Sequence, residues 1–221
     1  MSKSYLKVEG INNETLFVSF AGHDVMYGGI PRFEFVNFFN NSLNNVDRHF
    51  YMDVHKNTYH NGISGISKNV DETVVYLKQE IEKYKNVIFL GVSGGGYAAI
   101  LFGSLLNVTS VVAFIPQTRR LNDNIDERYR DISQYINNTT NYYLYGSIKP
   151  SSITDVHNIS HCLRISHHPN VLLSQRLNVD LKQMRNDGEL YSIFSKLAIP
   201  GTVLTTLDKL IEKSNVKMRF S

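Results

Sequence analysis

The segment that most constrains this chain is Val87-Ile88-Phe89-Leu90-Gly91-Val92-Ser93-Gly94-Gly95-Gly96-Tyr97-Ala98-Ala99-Ile100. Val87–Leu90 is a continuous apolar run, the pattern of a strand buried on both faces of a parallel sheet. The glycines that follow cannot extend that strand cheaply, and Tyr97–Leu106 is an apolar, alanine-containing stretch suited to a buried helix. Strand, sharp turn and helix therefore follow one another directly. Within the turn, Gly91, Ser93 and Gly95 occupy the fixed places of G-x-S-x-G. In a nucleophile elbow of this kind the serine projects from the C-terminal edge of the sheet. The helix behind it aims its N-terminal N–H groups at the site, which favours a developing negative charge. The alternative is a tight β–α turn of another doubly wound protein, holding a phosphate on its free N–H groups. The sequence argues against a P-loop, because no Lys-Ser or Lys-Thr pair follows the glycines.

The rest of the chain repeats the alternation. Strands are predicted at Thr15–Phe20, Arg48–Asp53, Val108–Ile115, Asn141–Gly146 and Asn170–Leu173. Helices are predicted at Phe33–Phe39, Asn69–Tyr84, Asp126–Ile136, Ser151–Ile165, Val179–Leu197 with a break at Asp187-Gly188, and Thr202–Lys213. In the second of these, Val70, Val74, Leu77, Ile81 and Tyr84 share one face, and Asn69 or Asp71 can cap it. Strands alternating with helices mean an α/β architecture: a doubly wound, mostly parallel sheet in a single domain spanning residues 1–221. Active groups are then expected beyond the C-terminal strand ends.

Composition narrows the partners. A length of 221 residues with 42% hydrophobic and 19% charged residues is globular, and a net charge of +3 is too small to argue for nucleic acid. The lone cysteine, Cys162, leaves no intramolecular disulfide and no cysteine-based zinc site. No apolar run reaches the roughly 18 residues needed to span a bilayer, and MSKSYLKVEG lacks the apolar core of a signal peptide. The expectation is a cytoplasmic protein with no membrane insertion, no nucleic-acid partner, no cofactor and no metal. Its oligomeric state is not specified by these features.

With those elements placed, the chain resembles a family of small α/β-hydrolase-like proteins often found with polysaccharide or glycosyltransferase systems. The residues carrying the resemblance are Phe20-Ala21-Gly22, Ile30-Pro31 with Phe33 and Phe35, Asp53 with Tyr59-His60-Asn61-Gly62 and Gly65, Gly91–Ala99 with Phe102-Gly103, and Phe114-Ile115-Pro116-Gln117-Thr118. Weaker echoes are His161 ahead of Pro169-Asn170-Val171, and Gly188-Glu189-Leu190. The resemblance implies an acyl-ester or acyl-transfer site built on the serine, with an acylated carbohydrate as substrate class. One departure stands out. The family pattern places its catalytic histidine after the last strand, where this chain has Ser174-Gln175-Arg176-Leu177-Asn178-Val179-Asp180. Asn178 cannot take a proton from serine near neutral pH. Either the base comes from elsewhere or ordinary hydrolytic chemistry has been lost, leaving a binding or interaction module in a glycan pathway.

The candidate roles follow. Ser93 is the nucleophile and needs a base within hydrogen-bond reach. The oxyanion hole is assigned to the N–H of Gly94 with an N–H near Gly22 and His23. Asp155 is the candidate acid, with helix N-capping as its other reading. His161 is the first choice of base, since it matches the family pattern, and His157 the second, since it is nearer Asp155. Tyr59 and His60 are assigned to substrate contact, and His23 and His60 are also possible replacements for the missing base. Asp126, Arg128, Arg119 and Arg120 either contact an anionic or sugar-rich ligand or form a solvated face.

Overall fold

The computed structural model describes residues 4–23, 26–27, 30–31, 33–120, 125–148 and 156–207. In chain order the elements are β1 (Tyr5–Val8), β2 (Asn12–Phe20), β3 (Met26–Tyr27), β4 (Ile30–Pro31), α1 (Val36–Ser42), β5 (Val46–Tyr51), α2 (Val70–Ile81), β6 (Asn86–Val92) and α3 (Gly94–Leu106). They continue with β7 (Ser110–Phe114), β8 (Asn141–Ser147), α4 (Ser160–Leu163), β9 (Val171–Arg176), α5 (Leu181–Asn186) and α6 (Glu189–Leu197). The main sheet has seven strands in the order β1-β5-β2-β6-β7-β8-β9. Every neighbouring pair is parallel except β1 with β5, where Tyr5 faces Tyr51 in antiparallel register.

β6 is the central strand because its side chains are apolar toward both faces. Val87 and Phe89 join a core with Leu16, Val18 and Phe20 of β2 and the buried side of α2 and α3. Ile88 and Leu90 point the other way, onto Phe17, Phe39, Met184, Ile193 and Phe194 from β2, α1, α5 and α6. Phe20 anchors the first core under the site. Its ring meets Tyr59 edge-on at 5.5 Å and Phe89 at 5.3 Å. Such aromatic pairs add about 0.5–1.5 kcal/mol each beyond area burial. No helix among the described residues is long and apolar enough to cross a membrane.

The doubly wound, mostly parallel sheet is as the sequence predicts, with four local corrections. β1, β3 and β4 lie outside the predicted strands: at four, two and two residues they are too short to show a period. The segment read as a helix over Asp126–Ile136 forms two short 3-10 turns, Glu127–Tyr129 and Ile132–Tyr135. Asp126 accepts the Arg128 N–H at 3.0 Å and Asp131 the Ser133 N–H at 3.1 Å, local bonds that compete with an α-helix. The helix read over Ser151–Ile165 is confined, among the described residues, to Ser160–Leu163. Residues 202–207 are not helical; the Leu204 N–H donates instead to the Tyr143 hydroxyl at 2.9 Å. The remainder of the helix predicted over Thr202–Lys213 lies outside the described residues. The predicted break between α5 and α6 is present, with Gly188 at φ 77 starting α6.

Candidate functional site

The turn between β6 and α3 is built from close backbone approach. Ser93 has φ 54 and ψ −116, a conformation that L residues rarely adopt, and it immediately precedes α3. A Cβ on Gly91 would come within 2.3 Å of the Gly95 carbonyl carbon and oxygen. One on Gly95 would come within 2.0 Å of the Phe20 carbonyl oxygen, and one on Gly96 within 3.0 Å of Pro116 Cβ. These glycines let α3 descend onto the ends of β2, β6 and β7 and lift Ser93 above the sheet edge. The Ser93 N–H donates to the Phe114 carbonyl at 3.0 Å, tying the turn to β7.

Ser93 Oγ lies 2.7 Å from His157 Nε2. His157 arrives in the connection leaving β8, held at the sheet edge by a parallel bridge between Ser147 and Asn158. His161 sits elsewhere. Its Nδ1 accepts the Thr118 N–H at 3.0 Å, and its carbonyl accepts the Thr118 hydroxyl at 2.9 Å. Burial is the main cause that lowers the His161 pKa, with Arg164 and His157 adding to it. The expected order of the two histidines is thus reversed by geometry: His157, not His161, faces the serine hydroxyl. Asp155 lies outside the described residues.

The donor side of the turn also differs from expectation. Gly94 N–H is the first amide of α3 and has no acceptor within the helix by position. Gly22 stands directly against the turn, since a Cβ there would lie 2.9 Å from the Val92 carbonyl oxygen and 3.8 Å from Ser93 Cβ. Its N–H, however, donates to Glu34 Oε2 at 3.2 Å. Gly22 is therefore engaged by a carboxylate, a correction to its assignment as an oxyanion donor, and His23 is the neighbouring amide. The His23 ring packs over Gly94, where an added Cβ would meet its Cδ2 and Nε2 at 3.0 Å. Glu34 also accepts from the Val92 backbone, so its carboxyl clamps the ends of β2 and β6 together. Burial outweighs those two bonds and pushes the Glu34 pKa up to about 7. Sequence reasoning missed Glu34, whose only local signal was a charge within an aromatic run.

Tyr59 and His60 do not line an open surface. Tyr59 is fully buried, and its single hydroxyl proton is shared between the carbonyls of Tyr51 at 2.9 Å and Ala21 at 3.1 Å. It is a core residue that supports the site from below, a correction to its assignment to substrate. Asp53 holds the loop in place by accepting the His55 N–H at 3.2 Å and the Tyr59 N–H at 3.1 Å. This allows Lys56, Thr58 and Tyr59 to sit at φ 53, 51 and 63. His60 is buried with both ring nitrogens engaged: Nδ1 accepts the Asp126 N–H at 3.2 Å, and Nε2 is 3.0 Å from the Tyr97 hydroxyl. Because Nδ1 accepts, Nε2 carries the proton and donates to Tyr97; Tyr97 in turn donates to the Tyr129 carbonyl. Burial, then the nearby Arg120 charge, lowers the His60 pKa to about 4. His60 is accordingly a neutral strut and not a substitute base for Ser93.

Solved structures share this architecture. A capsule O-acetyltransferase of Neisseria meningitidis serogroup A superposes with TM-score 0.59 at 14% identity, covering 86% of this chain and 89% of that one. An α/β hydrolase enzyme from a Medee basin deep-sea metagenome library gives 0.58 at 11% identity, covering 90% and 94%. A Glycosylation Associate Protein complex from Streptococcus agalactiae gives 0.54 at 12% identity, covering 83% of this chain and 41% of that one. The fold is α/β-hydrolase-like. No protein-family model matches the chain, and no curated protein matches it. At these identities the likeness concerns the fold. His157 comes from the β8–β9 connection, ahead of the last strand, and the stretch after β9 holds Asn178.

Proposed function

We propose that this chain is a serine esterase or acyltransferase that works through an acyl-enzyme on Ser93, with His157 as its base. The observation that carries the reading is the 2.7 Å approach of Ser93 Oγ to His157 Nε2 at a strained turn ahead of a buried helix. In this mechanism His157 Nε2 accepts the Ser93 proton as Oγ attacks the acyl carbonyl carbon. The tetrahedral oxyanion is met by the Gly94 N–H and by the N–H of His23, since the Gly22 amide is bonded to Glu34. His157 then returns the proton to the departing alcohol, and water or a second hydroxyl deacylates the serine by the reverse path. Asp155, two residues before His157, is the proposed orienting carboxylate. An O-acylated carbohydrate is the proposed substrate class, supported by the fold shared with a capsule O-acetyltransferase.

The competing reading, a non-catalytic binding module, was motivated by the absence of a histidine after β9. A histidine arriving from the preceding connection within hydrogen-bond distance of Ser93 favours catalysis instead. The test is fluorophosphonate labelling together with hydrolysis of p-nitrophenyl acetate and of acetylated sugars. The parent is expected to label and turn over, while Ser93→Ala abolishes labelling and His157→Ala lowers turnover by about 10²–10⁴-fold. A folded parent that neither labels nor hydrolyses any of these esters would overturn the enzyme reading.

A further inference from the structure

Among the described residues Arg120 is a buried cation with an incomplete set of partners. It is 6% exposed. Its Nη1 donates to Gln117 Oε1, and its Nε is buried with no acceptor. Among the described residues no carboxylate lies within ion-pair distance of its guanidinium. The backbone around it is fixed: its N–H donates to the Arg130 carbonyl at 2.9 Å, its own carbonyl accepts from Arg130 Nη1 at 3.3 Å, and Arg119 bridges Asp131. The other candidates from this stretch differ. Arg119 is exposed, and Arg128 is an exposed residue paired with Asp71 and Asp126 at 2.6 Å each.

Arg120 lies among the groups that support the turn rather than against Ser93 itself. It follows β7 at the C-terminal sheet edge, two residues after Thr118, which holds His161. Its charge is felt by His60, by His161 and by Tyr97, whose N–H donates to the Ser93 carbonyl at 3.0 Å. The Asp53 charge offsets part of the cost of burying it, but burial dominates and lowers its pKa. A buried guanidinium N–H without an acceptor costs free energy that a bound anion recovers, and the planar fork suits carboxylate and phosphate oxygens.

We infer that Arg120 is the recognition group of an anion-binding subsite, taking a carboxylate or phosphate of the substrate whose acyl group reaches Ser93. The link to Ser93 rests on the function proposed above; the anion binding does not. The substrate is then an acidic acylated sugar or a phosphate-bearing acyl donor or acceptor rather than a neutral ester.

Calorimetric titration of glucuronate, inorganic phosphate and glucose into the parent, Ser93→Ala, Arg120→Lys and Arg120→Gln tests this. Parent and Ser93→Ala should bind one or both anions and not glucose; the preferred anion separates a carboxylate source from a phosphate source. Arg120→Gln should weaken that binding by roughly 10–100-fold, and Arg120→Lys should fall between. Phenylglyoxal modification of Arg120 in the parent, mapped by mass spectrometry, keeps the test independent of how the variants fold. The bound anion should slow modification and glucose should not. A parent that binds neither anion, a folded Arg120→Gln with parental affinity, or modification of Arg120 unaffected by either anion would overturn the subsite. Ester turnover without anion binding removes the subsite alone, and anion binding without fluorophosphonate labelling removes the esterase reading alone.

Discussion

Replacing Gly95 by alanine tests whether the turn geometry is what the sequence pattern requires. The added Cβ would stand 2.0 Å from the Phe20 carbonyl oxygen, 2.8 Å from the Phe20 carbonyl carbon and 2.9 Å from the Ala21 carbonyl carbon. All three are backbone atoms, so no side chain can swing aside. Relief requires α3 and the end of β2 to separate by about 1 Å, yet Phe20 is paired on both sides, with Tyr51 of β5 and Gly91 of β6. The cost should reach the top of the range for overpacking, about 3 kcal/mol. For a chain of this length each kcal/mol lowers Tm by about 2–4 °C, so Gly95→Ala should melt about 6–12 °C below the parent. Gly201→Ala is the control. Gly201 has φ +80 with nothing within 4 Å of an added Cβ, leaving only the left-handed backbone penalty. That penalty is about 1–2 kcal/mol, which places its melt above that of Gly95→Ala. Thermal unfolding followed by far-ultraviolet circular dichroism and tyrosine emission (the chain has no tryptophan) reads both. Should Gly95→Ala melt no lower than Gly201→Ala, the close approach of α3 to β2 is wrong, and with it the placement of Ser93.

If the proposed esterase activity holds, His161→Ala should keep turnover within about threefold of the parent, because His161 is bonded to Thr118 and not to Ser93; a loss as large as that of His157→Ala would return the base to His161. Glu34 carries a pH signature. Burial raises its folded pKa from 4.5 to about 7, so its contribution is fully present below about pH 4.5 and is lost as pH rises through about 7, by at most about 3 kcal/mol. The stability difference between the parent and Glu34→Gln, measured by urea unfolding at pH 4.5 and pH 8, should shift by up to that amount against the parent at the higher pH; an equal difference at both would refute the assignment. Asn69→Ala should cost about 1 kcal/mol in urea unfolding, since the Asn69 side chain accepts the Glu72 N–H at 2.8 Å at the start of α2, and no change in midpoint would count against that cap.

What could be read from the chain alone was written in local patterns. The run from Val87 to Leu90 has no polar face, so it had to be a strand covered on both sides, and it is the fourth of seven. The glycines around Ser93 left a tight turn into a helix as the economical conformation, and the alternation of apolar strands with amphipathic helices left a doubly wound sheet. The cap at Asn69 and the break at Gly188 were legible because each acts over a few residues. The pairing of groups far apart in the chain was not. His157 and His161 are four residues apart with similar local surroundings, and only the path of the β8–β9 connection decides which meets a serine 64 residues earlier. Gly22 looked like a free donor until the fold brought Glu34 to its N–H, and Tyr59 looked like a loop side chain until the carbonyls of Ala21 and Tyr51 claimed its hydroxyl. Arg120 and Arg128 carry the same charge in the same segment, yet one is buried short of partners and the other lies exposed between two carboxylates. Periodicity records how much of a side chain must leave water; which atom it meets when it does so depends on contacts across the sheet edge, and only the tertiary structure sets those.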